Sequence, residues 1–165
     1  MSTQDRSSGS VGSFVILALR VVLGGIFLWA GCVKTSDPQS FLEAIRAFRI
    51  VQSNDLQVVA TYAMPAVEAL AGIALILGFW SRAAAVVIVL LLLTFIGAVI
   101  SAISRGLDNI PCSCFGYWHL YCEGVVGWCK VFENSVLTTI GLVLAVLGGG
   151  RLALDSRRRT PAEAL

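Results

Sequence analysis

The chain has 165 residues, of which 57% are hydrophobic and 13% charged, with a net charge of +2 and a mean hydropathy of +0.84. A soluble domain carries about 25% charged residues, so too few polar groups are present to coat a water-facing surface. The small net charge gives no electrostatic footprint for nucleic acid, and neither internal repeats nor low-complexity tracts are found. Charge is missing from whole stretches rather than thinned evenly. Since roughly 20 apolar residues cross a bilayer core about 30 Å thick, these stretches read as membrane spans.

Residues 1–12 are Ser- and Gly-rich and read as a disordered tail. The first span covers 13–33 and is interrupted by Arg20. Its end, Leu28-Trp29-Ala30-Gly31-Cys32, approaches a lipoprotein cleavage box. Trp29 replaces the small branched residue of such boxes, and further spans follow, so the segment reads as a retained helix. Next, Asp37 and Pro38 supply an N-cap and a first helical position, while Phe41, Ile45 and Phe48 form one apolar stripe with Glu43, Arg46 and Arg49 off it. This helix is too short and too charged to span, and is expected to lie in the interface. The second span, 58–80, contains Pro65 and Glu68, and Pro65 is expected to kink it. A hairpin at Ser81-Arg82 leads to the third span, 83–104, which carries no charge. The fourth covers 131–150, and residues 151–165 form a basic tail with Arg151 and Arg157 to Arg159. The expected fold is an all-α membrane protein: a four-transmembrane-helix bundle over 13–150 with a short amphipathic interfacial helix between the first two spans.

Orientation follows from Lys and Arg. Four spans put both termini on one side with Arg6, Arg82, Arg151 and Arg157 to Arg159, against Lys34, Arg46, Arg49, Arg105 and Lys130 on the other. The arginine cluster and the shorter segments favour cytoplasmic termini, which places the interfacial helix and the 105–130 segment outside.

Charges at the bilayer centre cost about 2.5–3.5 kcal/mol or more, so Arg20 and Glu68 are expected to face the bundle interior. Counted from Lys34 and Gln57, they fall about one helical turn apart in depth, which suggests an intramembrane ion pair. Such a pair either fixes helix packing or forms part of a proton- or quinone-linked site. Gly24, Gly25 and Gly31 allow a close helix approach.

Of the five cysteines, Cys112, Cys114, Cys122 and Cys129 fall within 18 residues. Cys112-Ser113-Cys114 sits between Pro111 and Phe115-Gly116, both turn-forming. A bridge between cysteines so close requires the chain to turn back on itself, and strained, exposed disulfides exchange readily. The pair therefore suits thiol–disulfide exchange outside the cytosol. Cys122 and Cys129 are candidates for a relay pair, or for a purely structural staple in which Cys112 or Cys114 is joined to Cys122 or Cys129, with Cys32 near the loop or packed against lipid. The spacing suits a zinc site poorly, and no metal is expected. His119 reads as an interfacial residue beside Trp118 and Tyr121.

These residues resemble the MauE family of methylamine-utilisation membrane proteins, related to the DoxX-like group. The resemblance rests on the run from Leu19 to Lys34, on Asp37-Pro38 and Phe41, on Pro65 with Glu68, on Cys112-x-Cys114-Phe115-Gly116 and on Asn134. It implies a multi-pass protein of the bacterial inner membrane serving the maturation of a periplasmic enzyme, in that family the methylamine dehydrogenase small subunit, with a thioredoxin-like partner. Ser113 stands where Gly is expected most often, and Cys122 and Cys129 are additions.

The sequence thus points to a membrane thiol–disulfide factor with Cys112 and Cys114 as its redox pair, and with a secreted disulfide-containing client. No cofactor is required, though a quinone is compatible. A non-catalytic scaffold of a DoxX-like redox complex, with cysteines that only brace the loop, is a second reading. A small-molecule pathway through Arg20 and Glu68 is a third.

Overall fold

The computed structural model describes residues 5–107, 110 and 125–148, with side chains of the first helix described from Gly12 onward. Cys112, Cys114, Phe115, Gly116 and Cys122 lie outside the described residues, as do His119 and the basic C-terminal tail. Five helices are described: α1 (Asp5–Ser36), α2 (Pro38–Phe48), α3 (Asn54–Leu77), α4 (Ser81–Ser104) and α5 (Trp128–Leu147). Four of these are long and apolar enough to cross a membrane: Gly12–Ser36, Asn54–Leu77, Ser81–Ser104 and Trp128–Leu147. The short helix lies between the first two of them. The chain is a multi-pass membrane protein.

Element boundaries follow local chemistry. α1 begins at Asp5, inside the segment read from sequence as an unstructured tail; each turn added to an existing helix gains a hydrogen bond per residue fixed. It stops at Ser36 because the residue before a proline avoids helical geometry. Asp37 then caps α2 as expected, its carboxylate accepting from the Ser40 N–H at 3.2 Å and the Ser40 hydroxyl at 2.6 Å. α3 starts four residues before the expected Val58 and runs through Pro65 as one helix. Its end differs from expectation as well. Gly78 takes φ +72 and closes the helix, so the turn is Gly78-Phe79-Trp80, and Ser81-Arg82 already belongs to α4.

The core runs down the bundle axis: Leu23, Phe27 and Ala30 of α1, Ala71 and Leu75 of α3, Ile88 and Leu92 of α4, and Leu137 and Leu144 of α5. The outward faces remain apolar, with Val22, Leu70, Leu93 and Val146 exposed. A water-soluble protein would not leave such a continuous belt uncovered, whereas lipid covers it at no cost. α1 and α3 pack antiparallel and very closely. A Cβ built on Gly31 would stand 2.7 Å from the Pro65 carbonyl oxygen, and one on Gly24 would stand 2.8 Å from that of Gly72. Gly25 meets nothing within 4 Å, so two of the three expected glycines make the approach.

Candidate functional site at the α2 end of the bundle

At one end of the bundle the last turns of α1 meet α2, the first half of α3, the last turn of α4 and the first turn of α5. Lys34 anchors this end. Its Nζ lies 2.7 and 2.8 Å from Glu68 Oε1 and Oε2, and the two side chains are only 2% and 1% exposed. The same ammonium sits 5.2 Å from the centroid of Phe41 on α2 and 4.8 Å from that of Phe95 on α4. Cations over ring faces gain electrostatic attraction that grows with desolvation. One lysine therefore holds four helices together.

The expected Arg20–Glu68 pair is not formed. Arg20, also buried, donates from Nε to the Leu75 carbonyl at 3.0 Å and from Nη2 to the Ile76 carbonyl at 3.2 Å, at the opposite end of α3. The glycine contacts fix the reason. With Gly31 facing Pro65 and Ala69, and Gly24 facing Gly72 and Ile76, Arg20 is level with the C-terminal end of α3 and Glu68 with Ala30. The offset is about 15 Å at 1.5 Å per residue. Lys34, which the sequence placed at the water surface, is the buried partner.

α5 repeats the theme. Lys130 and Glu133, on the same helix face, pair at 2.8 Å with exposures of 2% and 8%. Neighbouring Asn134 is fully buried and donates from Nδ2 to the Lys130 carbonyl at 2.8 Å. Two acceptors here, Glu133 Oε1 and Asn134 Oδ1, are buried without a hydrogen-bond donor among the described residues. In the sequence Asn134 stands out through the family pattern, whereas Lys130 reads as a loop charge and Glu133 carries no mark of its own. The available signal was the Lys-x-x-Glu-Asn spacing, which puts all three within one turn of a helix.

Cys129 lies in the first turn of α5, exposed and disulfide-bonded, while Cys32 on α1 is exposed and free. The segment carrying the remaining cysteines is closed at its base: the Val126 N–H donates to the Ile110 carbonyl at 3.0 Å, and Val126 is buried in the core. Its two ends therefore enter and leave the bundle at one point beside Cys129. α2 is braced over the same end by Arg105, which donates to the Phe48 carbonyl at 2.7 Å and the Arg49 carbonyl at 3.3 Å. Arg46 donates to Gln57 Oε1 at 3.2 Å and Asn54 Oδ1 at 3.0 Å.

The family model described as methylamine utilisation protein MauE matches residues 12–147, from the first span to the end of α5. The chain belongs to the MauE family. A methylamine utilization protein MauE of Paracoccus denitrificans is 33% identical over 131 residues, covering 79% of this chain and 68% of that protein. No solved structure matches. The matched region contains every element that builds the α2 end of the bundle, including Lys34, Glu68, Cys129 and Asn134.

Proposed function

We propose that this MauE-family protein serves methylamine utilisation as a membrane thiol–disulfide factor, assisting disulfide formation or processing in a periplasmic enzyme. The observation that carries the reading is the disulfide at Cys129, exposed at the mouth of the bundle where the segment holding Cys112, Cys114 and Cys122 is rooted. A cysteine in the first turn of a helix is a good thiolate, because the unsatisfied N–H groups there stabilise negative charge. In the exchange step, a thiolate of a thioredoxin-like partner attacks one sulfur of a disulfide in this chain and forms a mixed disulfide. The displaced sulfur leaves as thiolate. The partner's second thiolate then resolves the mixed disulfide, so two electrons pass from the partner's dithiol to the disulfide of this chain, which is left as a dithiol while the partner carries the disulfide. Cys112 and Cys114 are the proposed exchanging pair, with Cys122 and Cys129 as relay and the methylamine dehydrogenase small subunit as client.

The proposed setting is the bacterial inner membrane with both termini cytoplasmic. Burial of Lys34 and Lys130 in ion pairs supports this orientation, since it leaves Arg46, Arg49 and Arg105 as the free positive charges of the outer end and widens the asymmetry in favour of cytoplasmic termini.

The test is a mass-tagging assay on intact membranes combined with trapping. With Cys112→Ser or Cys114→Ser, a mixed disulfide with a thioredoxin-like protein should accumulate and the client's disulfides should remain incomplete. If both single variants mature the client normally and no mixed disulfide is captured, the exchange reading fails.

A further inference from the structure

The geometry points to a binding site for one anionic phospholipid, with its acyl chain held between α2, α3 and α4 and its phosphate at an arginine rim. The inference does not depend on the redox reading. A cavity of about 170 Å³ opens between these helices, lined by Phe41, Ile45 and Phe48 of α2, Met64 of α3, and Phe95 and Val99 of α4, among others. Its size is that of cavities known to take a benzene ring, enough for a stretch of hydrocarbon. Thr94 is the one polar side chain among the described lining residues, and its hydroxyl is given to the Leu90 carbonyl at 2.8 Å. A quinone head group would therefore find little to hydrogen-bond inside, whereas an acyl chain needs nothing.

Charge collects at one end of the cavity. Arg46 and Arg49 lie at the C-terminal end of α2, and Arg105 reaches from the end of α4 to the carbonyls of Phe48 and Arg49. All three arginines are exposed. None forms an ion pair among the described residues: Glu43 and Asp55, the described carboxylates nearest in sequence to Arg46 and Arg49, pair with none of them, and Arg46 and Arg105 donate only to neutral oxygens. Three guanidinium groups that no described carboxylate pairs with, beside an apolar slot, complement a molecule with an anionic head and a hydrocarbon tail. Arginine binds phosphate oxygens in a two-pronged geometry. Short amphipathic helices with the apolar stripe and charged face of α2 lie in the interface, at the depth of lipid head groups. Two of the cavity's wall residues, Phe41 and Phe95, are the rings that flank Lys34 Nζ, so a bound chain would press on the residues that hold the bundle together.

The full chain, purified in mild detergent, is incubated with phosphatidylglycerol or with phosphatidylcholine of the same acyl composition, and retained lipid is read by native mass spectrometry. Phosphatidylglycerol should be retained several-fold better. Arg49→Ala should lower its retention about five-fold, the value of one arginine at a membrane surface, and leave phosphatidylcholine unchanged. Ala98→Phe, which fills the cavity, should lower retention of both lipids. If that variant does not fold, Ala60→Leu on the opposite wall carries the same test. Equal retention of the two lipids, indifference to the folded cavity-filling variant, or equally strong retention of glycerol phosphate lacking acyl chains would each overturn the proposal.

Discussion

Lys34 and Glu68, on two helices that run antiparallel, meet as a doubly hydrogen-bonded ion pair with almost no exposure of either side chain. The pair has been taken out of water at a cost of several kcal/mol per ion, offset by mutual attraction and by the rings of Phe41 and Phe95. Such a pair is costly to break from one side only. Lys34→Met or Glu68→Leu alone should destabilise the purified protein by about 3–5 kcal/mol, because each leaves a charge buried without its partner. The double variant should recover most of that loss. Thermal melts in detergent followed by size-exclusion chromatography measure both, and a double variant no better than the worse single one would show that the pair does not act as a unit.

Pro65 and Gly31 give a second prediction. The Pro65 carbonyl lies where a Gly31 side chain would begin, and the Ala69 amide nitrogen stands 2.9 Å from the same point. Backbone cannot move aside as a flexible side chain can. Gly31→Ala should therefore push α1 from α3 and cost about 1–3 kcal/mol, while Gly25→Ala, which meets open space, should be neutral or slightly stabilising through helix propensity. The same melts decide this, and equal effects of the two substitutions would refute the close approach.

How much of this was legible in the sequence depends on what each residue has to choose between. The spans were readable because a membrane helix has to satisfy its backbone internally and coat itself in apolar groups, and Asp37-Pro38 announced α2 because few other residues start a helix so well. The partner of Glu68 was not readable. A depth counted from Lys34 assumes that it marks the water surface, but a lysine near a helix end either reaches outward or turns inward to a buried acid, and composition does not decide which. The same ambiguity hid Lys130 and Glu133. Helix register was the missing quantity, and it is set here by Gly24, Gly31 and Gly72, whose exact facing partners a single sequence does not specify. The exchange chemistry stands differently: clustering marks Cys112, Cys114, Cys122 and Cys129, and the Cys-x-Cys-Phe-Gly turn marks Cys112 and Cys114 in particular, but of these four the described structure contains Cys129.

Asp37 gives a pH prediction. Its carboxyl is held below the ordinary aspartate range, first by the Ser40 hydroxyl and then by the Ser40 N–H. A group whose folded value is depressed stabilises the fold above its unfolded value, about 3.9, and that stabilisation is lost as pH falls through the lower folded value. Asp37→Asn keeps an oxygen for the Ser40 N–H and does not titrate. The melting temperature of the natural protein should thus fall more than that of the variant between about pH 5 and pH 2. Parallel pH profiles would show that the cap carries no pH-dependent stability.

Cys129 offers the sharpest test of the chemistry proposed for the α2 end of the bundle. With Gly127 as N-cap, it is the second residue of α5, and its backbone neighbours include N–H groups without helical partners. If the disulfide there is opened by a mild reductant, the freed sulfur sits at the helix N-terminus, where the N–H groups attract the negative charge it carries as it attacks. The folded helix should therefore accelerate alkylation. In a brief maleimide pulse near neutral pH, with peptides quantified by mass spectrometry, Cys129 should label several-fold faster in the reduced folded protein than in the same protein unfolded in strong detergent. Cys32, in the last turns of α1 and so toward that helix's C-terminus, should show no such gain. The comparison separates electrostatics from access, because unfolding removes shielding from both thiols but removes the helix N-terminus only from Cys129. A slower reaction at Cys129 in the folded state would mean that the helix protects this sulfur rather than activating it, and a structural staple would then be the better account of its disulfide.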